Sequence, residues 1–154
     1  MAHNFYAEIN LHIVWHTKDN RSMLTPQREA VAHDAIRRKA ASFPGLLVRA
    51  IGGTDDHVHV AVSVPPTLLI SEFVGQLKGY STWCVNQTIA GEAERFAWQG
   101  GYGVVSFGTS NLGWVVRYIE RQKEHHGNGT TFGRLEMSGT ASEDGDAREE
   151  APMG

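Results

Sequence analysis

The sequence predicts an α+β domain of ferredoxin-like type: an antiparallel βαββαβ sheet with helices on one face, followed by one more helix. Three observations carry this. β-rich runs and helical periodicities alternate in the order β-α-β-β-α-β-α. The two middle runs, 46–53 and 57–64, are separated only by a short turn containing Asp, with Gly before it, which signals a hairpin. The chain has 154 residues, 41% of them hydrophobic and 20% charged, enough to bury one core and ordinary for a globular domain.

The first run, FYAEINLHIVWHT (5–17), alternates, with Ile9, Leu11, Ile13 and Trp15 on one face and Asn10, His12 and His16 on the other. That pattern predicts a half-buried strand. After a loop, Thr25-Pro26 reads as an N-cap and first helical residue, with Ala30, Val31, Ala35 and Ile36 at helical spacing and Pro44-Gly45 as the stop. The hairpin runs LLVRAIGG and HVHVAVSV follow, and Pro65-Pro66 breaks the chain. A helix over about 68–89 then places Ile70, Phe73, Val74, Leu77, Tyr80 and Cys84 on one side. GYGVVSFG (101–108) reads as the fourth strand. Ser110 or Asn111 opens a last helix, NLGWVVRYIERQKEHHG, that runs to Gly127.

The domain is expected over 1–136. The stretch MSGTASEDGDAREEAPMG (137–154) has five acids, one base and few apolar side chains, so it reads as a disordered acidic tail. The whole chain has a net charge of −3; with the tail set aside, 13 Lys and Arg stand against 12 Asp and Glu. Charge therefore neither selects nor excludes a nucleic-acid partner. The start lacks a secretory signal, and no run approaches the ~20 apolar residues of a membrane span. The single cysteine, Cys84, forms no internal disulfide and fits a reducing cytoplasm.

The residues with chemistry sit in the hairpin and the last helix. Side chains two apart on a strand share a face, so His57 and His59 present adjacent imidazoles while Val58, Val60 and Val62 point the other way. Such a pair serves equally well as the start of a divalent-metal site or as a hydrogen-bonding polar face. Tyr118 and Gln122 lie one turn apart at the edge of a stripe formed by Leu112, Val115, Val116 and Ile119. They read as a nucleophilic oxygen and a neutral oxygen ligand, or as a border aromatic and a solvated amide. Asp56 reads as an orienting partner of His57 or as a plain turn carboxylate. His125 and His126 read as further ligands or, the favoured reading, as cationic or hydrogen-bonding groups at a helix C-terminus. Arg117, Arg121 and Lys123 read as electrostatic support for a phenolate or as the helix's solvated face, and Trp83, Trp98 and Tyr102 as base-stacking or core aromatics, at least two of them core.

Taken in order, HIVWHTKDNRSML, DDHVHVAVSVPP, a helix with LKGYSTW, FAWQGGYGVVSFG and SNLGWVVRYIERQKEHHG resemble the single-tyrosine HUH transposases of small bacterial insertion sequences, REP-associated tyrosine transposases included. HUH denotes His-hydrophobic-His, here His57-Val58-His59, and the resemblance runs from Asn4 to Gly127. It implies that His57, His59 and Gln122 bind a divalent metal, Mg²⁺ or Mn²⁺. Tyr118 is then the catalytic nucleophile, forming a covalent 5′-phosphotyrosine and releasing a 3′-OH. The implied substrate is single-stranded DNA with hairpins at element ends, and the implied assembly is a homodimer joined through sheet edges, with no membrane partner. A two-His, one-Gln set is somewhat soft for Mg²⁺, which prefers oxygen. Two other readings stand beside the enzyme: a domesticated hairpin-DNA-binding protein with little or no cleavage, and a ferredoxin-like metal or small-ligand module.

Overall fold

The computed structural model describes residues 5–88 and 94–139. Four antiparallel strands form one sheet of order β2-β3-β1-β4: β1 is Asn10–His16, β2 Leu47–Gly53, β3 His57–Ser63 and β4 Gly103–Phe107. The first strand lies between the third and the fourth, the split βαβ order expected of the predicted fold. Helices α1 (Pro26–Ala41) and α2 (Ile70–Thr88) cover one face. There Leu11, Ile13, Trp15, Val58, Val60 and Val62 pack against Ile36, Ala40, Phe73 and Leu77. Helix α3 (Leu112–Glu120) covers the other face, where Val115 and Ile119 meet Ala50 and Ala61. A short helix, α4 (Gln122–Asn128), and a 3-10 turn, Gly133–Glu136, follow. Among the described residues no helix is long and apolar enough to cross a membrane.

Sequence pattern and structure part company at instructive places. β1 starts at Asn10 rather than Phe5 and is buried on both faces, with Asn10 and His12 as enclosed as Ile13. Alternation tells which side chains share a face; it does not tell that later segments will cover the polar one. In β2 the register with β3 slips between Val48 and Ala50, leaving Arg49 as an extra residue whose Nε donates to Ser63 Oγ at 2.9 Å. This bulge puts Val48 on the core face, opposite Val62. On α1 the buried stripe is Ala32, Ala35, Ile36 and Ala40, and Ala30 is exposed. Of the predicted tail, 137–139 are described and 140–154 lie outside the described residues.

The α1 start is as predicted. Pro26 occupies the first turn, and the Arg28 N–H donates to Thr25 Oγ1 at 3.2 Å. Thr25→Ala removes that acceptor and should cost about 1 kcal/mol. A domain of this size would then melt roughly 2–4 °C lower. Thermal denaturation followed by circular dichroism checks this; an unchanged midpoint would show that solvent replaces the cap without loss.

Candidate active site

The chemistry-bearing residues gather on the sheet face under α3. One row of paired residues crosses all four strands there: Gly52 on β2, His59 on β3, Val14 on β1 and Gly103 on β4. Each end of the row is a glycine for a steric reason. A Cβ on Gly52 would lie 2.2 Å from the Ile119 carbonyl oxygen, and one on Gly103 would lie 1.8 Å from that of Met137. The bare backbone lets α3 rest on β2 and the C-terminal segment rest on β4. Those two contacts bring their sequence neighbours, Tyr118 and Glu136, over His59.

Both histidines are fully buried, and each has its Nδ1 engaged. His57 Nδ1 lies 2.7 Å from Asp56 Oδ1 and 2.9 Å from Thr54 Oγ1. His59 Nδ1 meets His12 Nε2 at 2.7 Å. Asp56 is thus the orienting partner, one of its two sequence readings. On the inner side, His57 Nε2 faces Gln122 Oε1 at 3.2 Å. His59 Nε2, although buried, has no aligned hydrogen bond among the described residues; Glu136 Oε1 lies 3.3 Å away. Gln122 begins α4, and its Nε2 donates to the Tyr118 carbonyl at 3.3 Å, which turns Oε1 toward His57. The helix predicted as continuous to Gly127 is broken at Arg121, whose φ of −111° and ψ of 30° separate α3 from α4. It ends at Gly129, left-handed at φ 70°.

Tyr118 is 2% exposed. Its hydroxyl donates to Glu136 Oε2 and accepts the Phe132 N–H at 2.8 Å. The ring stacks on Trp114, 5.4 Å between centroids and 10° between planes, and lies 6.0 Å from His59. All of these contacts are within one chain. Burial, reinforced by the Glu136 hydrogen bond, pushes the phenol up to about 12. Burial works against the Glu136 charge too, but His59, Tyr118 and His57 outweigh it and hold the carboxyl at about 2. Burial keeps His59 at about 4 and His12 at about 3, neutral and able to act as ligands. His57 is also opposed by burial, yet the Asp56, Gln122 and Glu136 contacts raise it.

Two residues of the cluster stood outside the expected metal set. His126, for which the sequence favours a helix-terminal role, has Nε2 3.4 Å from Glu136 Oε1 and its ring 4.6 Å from His57. Its spacing of one turn after Gln122 was the available signal. Glu136 lies beyond the stretch that carried the resemblance, and no local pattern marks it. His125 packs on Tyr118 at 4.7 Å, with Nδ1 2.9 Å from Thr130 Oγ1. Lys123 is drawn away to Glu29 at 2.8 Å and the Gly53 carbonyl at 3.0 Å, while Arg117 and Arg121 are exposed. Trp98 belongs to the core, edge-on to Trp15 and donating to Ser81 Oγ at 2.9 Å; Tyr102 packs beside it, and Trp83 is 59% exposed.

The donor set fits a divalent cation: two oriented, buried imidazoles, one of them without a hydrogen bond on its inner nitrogen, and an amide oxygen beside them. The buried histidines also give stability a pH dependence. His12, His59 and His33, the last held at about 4 by burial, all titrate below the ordinary value near 6.5. Between those limits the unfolded chain takes up protons that the folded one refuses. Their contribution is therefore complete above about pH 6.5 and is lost as pH falls, at up to about 1.4 kcal/mol per pH unit for each histidine. His57, being raised, works in the opposite sense but is one group against four, since burial lowers His16 as well. In EDTA the protein should melt lower at about pH 5 than at about pH 7.5, and His33→Gln should flatten the slope. A midpoint that does not fall on acidification would contradict the assignment.

A family model described as Transposase IS200 like matches residues 5–122, from before β1 to Gln122. The chain belongs to the IS200-like transposase family. Members of this transposase family cleave DNA, and the chain is similar to two curated members, the IS200 transposases of Salmonella typhimurium and Salmonella typhi. Each is 28% identical over 118 residues, covering 73% of this chain and 76% of the relative. Solved structures give the same fold. A Deinococcus radiodurans protein described as a candidate transposase aligns with a TM-score of 0.61 and 23% identity, over 79% of this chain and 96% of that one. A REP-associated tyrosine transposase bound to a REP hairpin aligns with a TM-score of 0.58 and 16% identity, over 85% of this chain and 75% of that one. His126 and Glu136 lie past the last residue matched to the IS200-like family model.

Proposed function

We propose that this IS200-like transposase is a metal-dependent single-stranded DNA endonuclease and strand transferase, acting in the cytoplasm at hairpin-bearing element ends with Tyr118 as nucleophile. The observation that carries the reading is the convergence, on one sheet face, of the Tyr118 hydroxyl with the inward-facing donors of His57, His59 and Gln122. Tyr118 Oη attacks the phosphorus and forms a P–O bond, while the bond to the 3′ oxygen breaks, leaving a 5′-phosphotyrosine and a free 3′-OH. Attack by another 3′-OH reverses the exchange and rejoins strands, so no external energy source is needed. His57, His59 and Gln122 would hold a divalent cation, Mg²⁺ or Mn²⁺, which would supply neutralisation of the charge that builds on the phosphate. Asp56 and His12 hold the two imidazoles in the tautomers that leave Nε2 free for this work. Trp114 fixes the tyrosine ring by stacking. The hairpin-bound relative supports hairpin DNA as substrate, and the assembly we propose is a homodimer joined through sheet edges.

A second reading, a hairpin-binding protein with little cleavage, is favoured by one observation: both hydrogen-bonding capacities of the Tyr118 hydroxyl are taken, and its proton is held tightly. One experiment separates the two. Labelled single-stranded DNA carrying the flanking element's hairpin is incubated with the protein and Mn²⁺ or Mg²⁺, then run on a denaturing gel. A retarded covalent band that EDTA abolishes is the expected result. Hairpin binding with no covalent band at either metal would sink the enzyme reading and leave the second.

A further inference from the structure

Four ligand-type atoms converge at a place that the family's residue match covers only in part. His57 Nε2, His59 Nε2, His126 Nε2 and a Glu136 carboxylate oxygen all lie within 4.8 Å of one another. We propose that His126 and Glu136 complete the divalent-cation site begun by His57, His59 and Gln122, and that the two oxygens of Glu136 hold the cation and the Tyr118 hydroxyl respectively. This rests on the reading of that site given above and extends it to two residues outside the family match.

The distances argue for ligands around a common centre rather than for hydrogen bonds. Glu136 Oε1 is 3.5 Å from His57 Nε2, 3.3 Å from His59 Nε2 and 3.4 Å from His126 Nε2. A charge-assisted N–H···O bond is shorter, about 2.7–2.9 Å. Donors about 2.1 Å from a shared ion are separated from one another by roughly 3.0 Å when octahedral and roughly 3.4 Å when tetrahedral, the range in which these spacings fall or nearly fall. Proton accounting points the same way. Asp56 takes the His57 Nδ1–H, so Nε2 presents a lone pair. The Gln122 amide nitrogen is spent on the Tyr118 carbonyl, so its oxygen presents lone pairs to that same Nε2. When His59 donates from Nδ1 to His12, its Nε2 joins them. With both imidazoles neutral, a cation between these atoms satisfies all of their lone pairs at once.

The two added residues are held from outside the sheet. His126 follows Gln122 by one turn of α4, which puts both on one side of that helix. Glu136 is fixed by the buried neighbour Leu135 and by Met137 lying against Gly103. Its second oxygen accepts from Tyr118, so one carboxylate ties the nucleophile to the cation. Three imidazoles, an amide oxygen and one carboxylate oxygen form a mixed set in which borderline nitrogen still outnumbers hard oxygen. The chemistry selects Mn²⁺ over Mg²⁺, and one position of an octahedral ion stays open for a phosphate oxygen.

The test is Mn²⁺ affinity of the full chain without DNA, by titration calorimetry and by the loss of the free Mn²⁺ paramagnetic resonance signal. Wild type is compared with Glu136→Ala, Glu136→Gln, His126→Ala and His57→Ala, with folding checked by circular dichroism. The expected result is at least ~10-fold weaker binding for Glu136→Ala and for His126→Ala, with Glu136→Gln between Glu136→Ala and wild type because it keeps an oxygen donor. Unchanged affinity in Glu136→Ala and His126→Ala, with binding lost in His57→Ala, overturns this inference and leaves the three-residue site standing. Tighter binding in Glu136→Ala also overturns it, since the carboxylate would then be occupying the cation's place. Mn²⁺ binding that is absent in wild type, or untouched by His57→Ala, overturns the metal centre itself and this inference with it.

Discussion

Tyr118→Phe should eliminate the covalent protein–DNA product, lowering strand cleavage at least ~10³-fold while hairpin binding stays near wild type. Phe lacks the one atom that can bond to phosphorus and keeps the ring that stacks on Trp114. The structural cost is bounded. The hydroxyl's two partners, Glu136 and the Phe132 N–H, lose a hydrogen bond each. A lost partner at a buried polar group costs about 1–3 kcal/mol, and Glu136 keeps three imidazoles nearby. The variant should therefore fold, with a circular dichroism spectrum like that of wild type. The measurement is adduct formation on labelled hairpin DNA, read beside a binding isotherm for the same DNA. A persistent adduct in Tyr118→Phe would place the nucleophile elsewhere.

Gly52→Ala should be a highly damaging single methyl on the sheet face under α3. The backbone of Gly52 is ordinary strand, so alanine meets no conformational penalty and the effect is purely steric. The new Cβ would sit 2.2 Å from the Ile119 carbonyl oxygen and 3.2 Å from Ile119 Cγ2. The obstacle is helix backbone, which cannot rotate away as a side chain tip can. Helix α3 must lift off β2 by about 1 Å, carrying Tyr118 with it. Overpacking of this kind costs about 1–3 kcal/mol. A shift of about 1 Å at a reacting group can cost on the order of 10²-fold in rate. Gly52→Ala should accordingly melt lower and form adduct about 10²-fold more slowly, with Mn²⁺ affinity reduced as well because α3 leads into Gln122. Wild-type stability and rate would mean that α3 does not rest on β2 in solution.

Much of this arrangement was legible from residue order. The hairpin spacing and the split βαβ order predicted the sheet, and period-two alternation put His57 and His59 on the face opposite Val58 and Val60. Thr25-Pro26 predicted the α1 start because capping is local. What stayed hidden depended on residues far apart in the chain. The burial of Asn10 and His12 is decided by segments about a hundred residues later, Asn10 donating to Phe107 O and Thr109 Oγ1 and the Gly133–Glu136 turn packing on β1, and period two carries no knowledge of them. The Arg49 bulge and the Arg121 break are single-residue changes of backbone geometry within otherwise regular patterns. Glu136 is one acid between Leu135 and Met137, and it gains meaning only because Gly103 admits the chain that carries it. His126 had a signal in its spacing from Gln122, but the same spacing suits a solvated helix end.

The row that ends in two glycines also inverts the usual relation between side-chain size and tolerance to change. At Gly75, Gly79, Gly100, Gly127 and Gly133 an added Cβ meets nothing within 4 Å. In the helical cases alanine is worth about 0.5–1 kcal/mol of extra stability. At Gly52 and Gly103 the same methyl collides with a main-chain oxygen. A saturation survey of this chain would thus find Gly52 and Gly103, neither with a reactive atom, behaving as sharply as Tyr118 and His59. Lineages free to drift at every other surface position would keep both of them bare, because the absence of a side chain is what lets two distant segments of the chain close over the histidines.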